Sequence, residues 1–291
     1  MSNQKIIVVT DSTAYIPQEA MGDLNIPVIP LWLIWGDERF RDGVDINPPD
    51  FYRRLQGAKT FPTTSQPSAG EFTEFFRQAS DGAEGIVGIF ISSKLSGTVP
   101  NAQAARAQLT DLNIQVVDSL GTSMSLGFIA LAAARAAAAG KSMDEVVATA
   151  EQVRDTVHIL FTVGTLDYLH RGGRIGGAKR LMGTMLNIKP LLHLEDGRVE
   201  PLAQVRTKRK AVTQMLEIAE ERLGGKPVAE VAVLDVNVPD EGDALAEQAK
   251  KRLGVSVIHR TGVSPVIGAH LSFSKSRGKK PGFFRKNLVS H

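Results

Sequence analysis

Short apolar runs separated by amphipathic segments organise the first half of the chain. Residues 6–10, 86–91 and 114–117 are almost wholly apolar, as strands buried on both faces must be, and 28–35 is a further run bounded by Pro27 and Gly36. Between them, 48–55, 69–79 and 99–109 read as helices, with Pro48 and Pro49 suited to a first turn. Strands alternating with helices predict parallel βα units. An alanine-rich helix at 126–139 stops at Gly140, Ser142 caps another that runs to 155, and 157–163 is the strand expected to close this half.

The pattern changes past Gly164. A glycine-rich segment, Arg171-Gly172-Gly173-Arg174-Ile175-Gly176-Gly177, leads to two apolar runs around Asp196-Gly197, a strong hairpin signal. Helices at 207–223 and 240–253 then flank strands at 228–236, 255–258 and 266–269. This predicts an α/β protein in two parts: a parallel-sheet α/β domain over 1–160 and a smaller α+β domain over 161–270, followed by an atypical segment at 271–291.

Composition narrows the class. Of 291 residues 43% are hydrophobic and 22% charged, the balance of a chain with a sizeable core. The longest uncharged stretch, 119–134, is too short and too rich in Ser, Thr and Gly to cross a bilayer. Lys5 precedes only four apolar residues, and there is no cysteine, so a cytoplasmic address is expected. The net charge of +3 misleads, because residues 271–291 hold six basic side chains and no acidic one. The preceding 270 residues carry 28 of the 34 basic groups against all 31 acidic ones, and this mildly acidic body argues against nucleic acid as a partner.

Familiar catalytic motifs fail. Gly140-Lys141-Ser142 imitates the end of a phosphate loop, yet Arg135 stands where the first glycine is needed. The six histidines lack ligand spacing, and no serine has an identifiable histidine partner, so neither metal nor cofactor is expected. What stands out is hydroxyl density in four loops: Asp11-Ser12-Thr13, the run from Thr63 to Ser68, the run from Ser92 to Thr98, and Asp118-Ser119. Loops at the carboxyl ends of parallel strands converge on one crevice, where hydroxyls and helix-start amides suit a carboxylate or phosphate. Each hydroxyl could equally be a helix cap. Asp11 and Asp118 could hold Mg²⁺, or serve only as Asx turns.

Taken in order, eight segments resemble the DegV family, bacterial fatty-acid-binding proteins that include the FakB subunits of fatty acid kinase. They are Thr10-Asp11-Ser12-Thr13, Thr64-Ser65-Gln66-Pro67-Ser68, Ser92-Ser93-Lys94-Leu95-Ser96-Gly97-Thr98, Val117-Asp118-Ser119, Leu169-His170-Arg171-Gly172-Gly173-Arg174-Ile175, Leu186-Asn187-Ile188-Lys189-Pro190, Val205-Arg206-Thr207 and Val266-Ile267-Gly268-Ala269-His270. The resemblance implies one long-chain fatty acid enclosed between two domains and no chemistry by this chain itself. It implies that a separate ATP-dependent fatty acid kinase converts the presented carboxylate to acyl phosphate. The family's carboxylate-binding positions fall on Thr64, Ser65, Ser96 and His270, with Gly97 as a backbone donor and Arg174 beside them, and Arg206 falls on the kinase-docking arginine. Taken alone, His270 is a strand-end histidine and Arg206 a solvated charge beside Lys208, Arg209 and Lys210. After His270 the sequence departs from the family's Thr-Gly-Pro-Gly and last apolar strand and enters the basic segment, either through an altered reading frame or as a surface extension suited to anionic membrane.

The alternative is an enzyme of sugar or polyol phosphates using Asp11, Asp118 and Mg²⁺, since dihydroxyacetone kinases have a related core. A carrier requires an apolar tunnel for some 15 methylenes, and the phosphate enzyme a short polar pocket. Leu126, Phe128, Ile129 and Leu131 of the alanine-rich helix are candidates to line such a tunnel.

Overall fold

The computed structural model describes residues 6–184 and 188–271, so Leu186, Asn187 and the basic segment from 272 lie outside the described residues. In chain order the first half runs β1 (Ile6–Asp11), α1 (Gln18–Met21), β2 (Val28–Ile29), β3 (Trp32–Trp35), β4 (Glu38–Arg41), α2 (Pro48–Gly57), β5 (Thr63–Ser65), α3 (Ala69–Ala79), β6 (Gly85–Phe90), α4 (Thr98–Gln108), β7 (Ile114–Asp118), α5 (Ser123–Ala138) and α6 (Met143–Arg154). The second half continues β8 (Leu160–Thr162), α7 (Asp167–Arg171), a 3-10 segment at Gly176–Thr184, β9 (Lys189–Glu195), β10 (Arg198–Val205), α8 (Lys208–Leu223), β11 (Glu230–Asp235), α9 (Pro239–Leu253), β12 (Val257–Gly262) and α10 (Pro265–Leu271).

The apolar runs form the expected parallel sheet, ordered β2-β1-β6-β7. Both its faces are covered, which is why its strands read as unbroken apolar sequence. On one face Val8, Val87 and Ile89 meet Leu126, Ile129 and Leu131 of α5. On the other, Phe90 meets Phe72 edge-on at 5.2 Å, with Phe76 of α3 and Val99 of α4 beside it. The helix starts follow local chemistry. Ser68 and Glu71 close a reciprocal capping box at α3, Ser142 and Glu145 do so at α6, and Asn47 caps α2.

Three apolar runs behave differently from their sequence pattern. The run 28–35 is two strands, because Pro30 cannot donate to a ladder: β2 pairs with β1, while β3 turns away to form an antiparallel sheet with β4 and β5. The run 157–163 does not close the first half; β8 pairs antiparallel with β9 in the second sheet, ordered β10-β9-β8. Residues 266–269, expected as a strand, belong to α10. Pro265 pre-sets the first helical turn, and Ser264 Oγ accepts from the Ile267 amide at 3.3 Å. The parallel pair β11-β12, with α8 and α9 packed against the second half, completes the α+β part.

Candidate functional site

The loops at the carboxyl ends of β1, β6 and β7 do converge, and most of their hydroxyls are used internally. Asp11 is fully buried, and its carboxylate accepts from the Thr13 amide, the Thr13 hydroxyl and the Ile91 amide at 2.6–2.9 Å. Burial outweighs those bonds and pushes its pKa up to about 6. Asp118 accepts from the amides of Ser93 and Leu120. Both aspartates therefore staple loops, and among the described residues no three metal-ligating side chains gather. Ser92 joins the halves: it is buried and donates to the Gly197 carbonyl at 2.9 Å, with Gly197 at φ +77° in the hairpin turn of β9 and β10.

Beside this staple lies a cavity of about 1130 Å³, lined from both halves. That is at the top of the range of small-molecule sites, roughly 300–1,000 Å³. Its walls are mainly hydrocarbon: Met124, Phe128 and Ala132 of α5, Val212 and Leu216 of α8, Val233 of β11. Of the four α5 residues named above only Phe128 reaches it; Leu126, Ile129 and Leu131 point into the core between α5 and the sheet.

One end of this cavity is polar. Thr64, Ser65, Ser96, Arg174 and His270 all line it, whereas Gly97 stands just behind at the start of α4, and Arg206 is exposed outside it between β10 and α8. The Thr64 hydroxyl lies 2.8 Å from His270 Nε2, and that imidazole is pushed down to about 4 by burial and then by the charge of Arg174, so it is neutral at pH 7. Arg174 donates from Nε to the Leu95 carbonyl at 2.9 Å and from Nη1 to the Gly172 carbonyl at 2.5 Å, which leaves Nη2 without a partner among the described residues. Ser96 shares a 2.8 Å hydrogen bond with Thr98, and the Ser65 hydroxyl donates to the Gln66 carbonyl at 3.2 Å. His270 reaches this end from α10 and not from a strand end.

Two features escape sequence reasoning. The Thr122 hydroxyl, at the start of α5 on the cavity wall, is buried without a hydrogen-bond partner among the described residues. A polar run ahead of an alanine-rich helix was its only signal. Gly172 backs directly onto His270: a Cβ there would fall 2.1 Å from Nδ1. Neutral hydroxyls, a neutral imidazole and the Arg174 guanidinium at this end of a cavity with mainly hydrocarbon walls form a site for an amphiphile with a small anionic head.

A family model described as uncharacterised protein, DegV family, matches residues 5–272. A DegV domain-containing protein of Streptomyces coelicolor is 43% identical over 270 residues, covering 92% of this chain and 95% of its own. Among solved structures, a fatty-acid-binding DegV family protein from Thermus thermophilus superposes with a TM-score of 0.84 at 33% identity, covering 92% of this chain and 96% of that one. DegV of Bacillus subtilis, a fatty acid binding protein, gives a TM-score of 0.84 at 31% identity over 92% and 95%.

Proposed function

Since the chain belongs to the DegV family, we propose that it is a carrier that binds one long-chain fatty acid and presents its carboxylate to a separate ATP-dependent fatty acid kinase. The observation that carries this reading is the shape of the site: a large cavity with mainly hydrocarbon walls, at one end of which Thr64, Ser65, Ser96, Arg174 and His270 meet. An ionised head drawn out of water needs several donors, and these side chains supply them. About 15 buried methylenes at ~0.8 kcal/mol each gain on the order of 12 kcal/mol before ordering costs, ample for retention through purification. A sugar phosphate would leave those hydrocarbon walls wet, and Asp11 and Asp118 are committed to loop amides.

Native mass spectrometry of protein purified from a bacterial host is expected to show one co-purifying fatty acid. Oleate should bind far more tightly than methyl oleate, and Ser96→Ala should weaken oleate by roughly tenfold to a hundredfold, the worth of one hydrogen bond to a charged group. No extractable lipid together with no binding of added oleate would end the carrier reading.

Arg206 is the proposed kinase contact. It is exposed, lies off the cavity and sits near Arg209 and Lys210 in sequence, which suits steering of an acidic partner surface. Arg206→Ala is expected to leave oleate affinity unchanged and to slow acyl-phosphate formation in a coupled assay with the kinase. Loss of oleate binding with normal phosphorylation would assign Arg206 the wrong role.

A further inference from the structure

The cavity does not end in hydrocarbon. Along one face α8 lines it with Val212, Met215, Leu216, Ala219 and Leu223, and that face begins at Lys208 and ends at Arg222. Fourteen residues of helix separate the two cations, about 21 Å at about 1.5 Å per residue. Lys208 pairs with Glu241 beside the carboxyl end of β11, from which the chain of β12 leads into α10 and His270. Arg222 therefore lies at the end opposite the head-group residues.

That far end is charged, and its two arginines differ. Arg135 is bound to Glu230 at 2.5 Å, and Glu230 also holds His259 at 2.6 Å. Arg222 donates to His193 Nδ1 at 3.1 Å and, among the described residues, has no carboxylate partner. His158, also on the cavity wall, and His193 are both held below the ordinary imidazole range by burial first and the charge of Arg222 second, and an imidazole carries no negative charge that could offset Arg222. A guanidinium has five N–H donors in a fork that fits a carboxylate, and among the described residues Arg222 makes one hydrogen bond, to His193.

We propose that Arg222, flanked by His158, forms a second oxyanion site at the far end of the cavity, so that the protein accepts long-chain α,ω-dicarboxylic acids as well as simple fatty acids. This rests on the fatty-acid reading for the first carboxylate. The helix sets the ligand's scale. An extended chain advances about 1.25 Å per carbon, from bonds of about 1.52 Å and angles of about 111°, so the wall of about 21 Å that α8 lays between Lys208 and Arg222 runs beside roughly 16 to 18 carbons. A simple fatty acid that reaches the far end brings its terminal methyl to the guanidinium and leaves it unpaired; a second carboxylate there meets it.

Calorimetric titration of the full chain with stearate, octadecanedioate and monomethyl octadecanedioate tests this. The wild type is expected to bind the diacid at least tenfold more tightly than its half ester. Arg222→Leu should erase that preference while stearate stays within about threefold of wild type, and Arg222→Lys should restore part of it. Equal wild-type affinity for diacid and half ester overturns the far-end site alone, and so does an Arg222→Leu protein that loses all three ligands alike or keeps the preference. That first comparison needs no variant, so it holds even if a substitution impairs folding. A wild type that binds none of the three overturns the fatty-acid reading and this site with it.

Discussion

Gly172→Ala is expected to lower oleate affinity by about a hundredfold or more while the protein stays folded. Gly172 has φ −74° and ψ −8°, ordinary right-handed backbone that alanine adopts without strain. The obstacle is spatial. An added Cβ falls 2.1 Å from His270 Nδ1 and 2.6 Å from Cε1, and a backbone carbonyl, that of Tyr168, lies 3.2 Å away on another side. The imidazole must move, so its 2.8 Å contact with Thr64 breaks and both groups leave the polar end of the cavity. Two hydrogen bonds to a charged head are worth about 3 to 6 kcal/mol together, which is the stated loss or more. Gly173→Ala is the internal control: its φ of +74° strains any other residue, but nothing lies within 4 Å of the added carbon. That variant should lose stability and keep its affinity. Calorimetry with oleate and methyl oleate reads the difference, and unchanged oleate binding by a folded Gly172→Ala protein would remove His270 from the proposed head-group site.

The contrast between these neighbouring glycines marks where the sequence stops being legible. The parallel sheet was readable because its central strands β1 and β6 are buried on both faces, and burial of that kind writes itself as nearly uninterrupted apolar sequence. Helix starts were readable because Ser68 with Glu71, and Ser142 with Glu145, solve a local problem with local atoms. The run at 266–269 was not, since four apolar residues have no period of their own, and Pro265 and Ser264 had to decide for a helix. The pairing of β8 with β9 depends on a partner some 30 residues away, and the pressure of Gly172 against His270 joins positions nearly a hundred apart. A hydroxyl in a loop can be a cap or a ligand contact, and only the fold separates Ser92, tied to the Gly197 carbonyl, from Ser96 on the cavity wall.

Asp42→Asn is expected to stabilise the protein several times more at pH 8 than at pH 4.5. Asp42 follows β4 and is 1% exposed. One carboxylate oxygen accepts from the Ser12 hydroxyl at 2.9 Å; the other has no hydrogen-bond partner among the described residues. The groups facing it offset its charge only in part, the Ser264 hydroxyl and the Val266 amide favouring the carboxylate and Asp11 opposing it. They are Asp11, the start of α10 at Ser264 and Val266, and the phenols of Tyr15 and Tyr52, both of which stay neutral. Burial, reinforced by the charge of Asp11, pushes Asp42 up to about 7. The unfolded chain releases that proton near pH 4, so between about 4 and 7 the native state holds a proton that the unfolded state has lost, and stability falls as pH rises through that window. A shift of about three units is worth at most about 4 kcal/mol, a large share of the roughly 5–15 kcal/mol that holds a domain together. Wild-type stability alone does not expose this, because His270 works in the opposite sense: its pKa of about 4 lies below the unfolded value near 6.5, so its contribution rises with pH across much of the same range. The difference between variant and wild type cancels His270 and reads Asp42 together with its coupling to Asp11. Asparagine keeps the shape and the oxygen that Ser12 needs, and it matches the protonated acid, so the difference should be about 1 kcal/mol at pH 4.5, grow through pH 7 and level off by pH 8. Urea midpoints measured at those three values decide it, and a difference independent of pH would mean that the buried carboxylate carries no charge penalty.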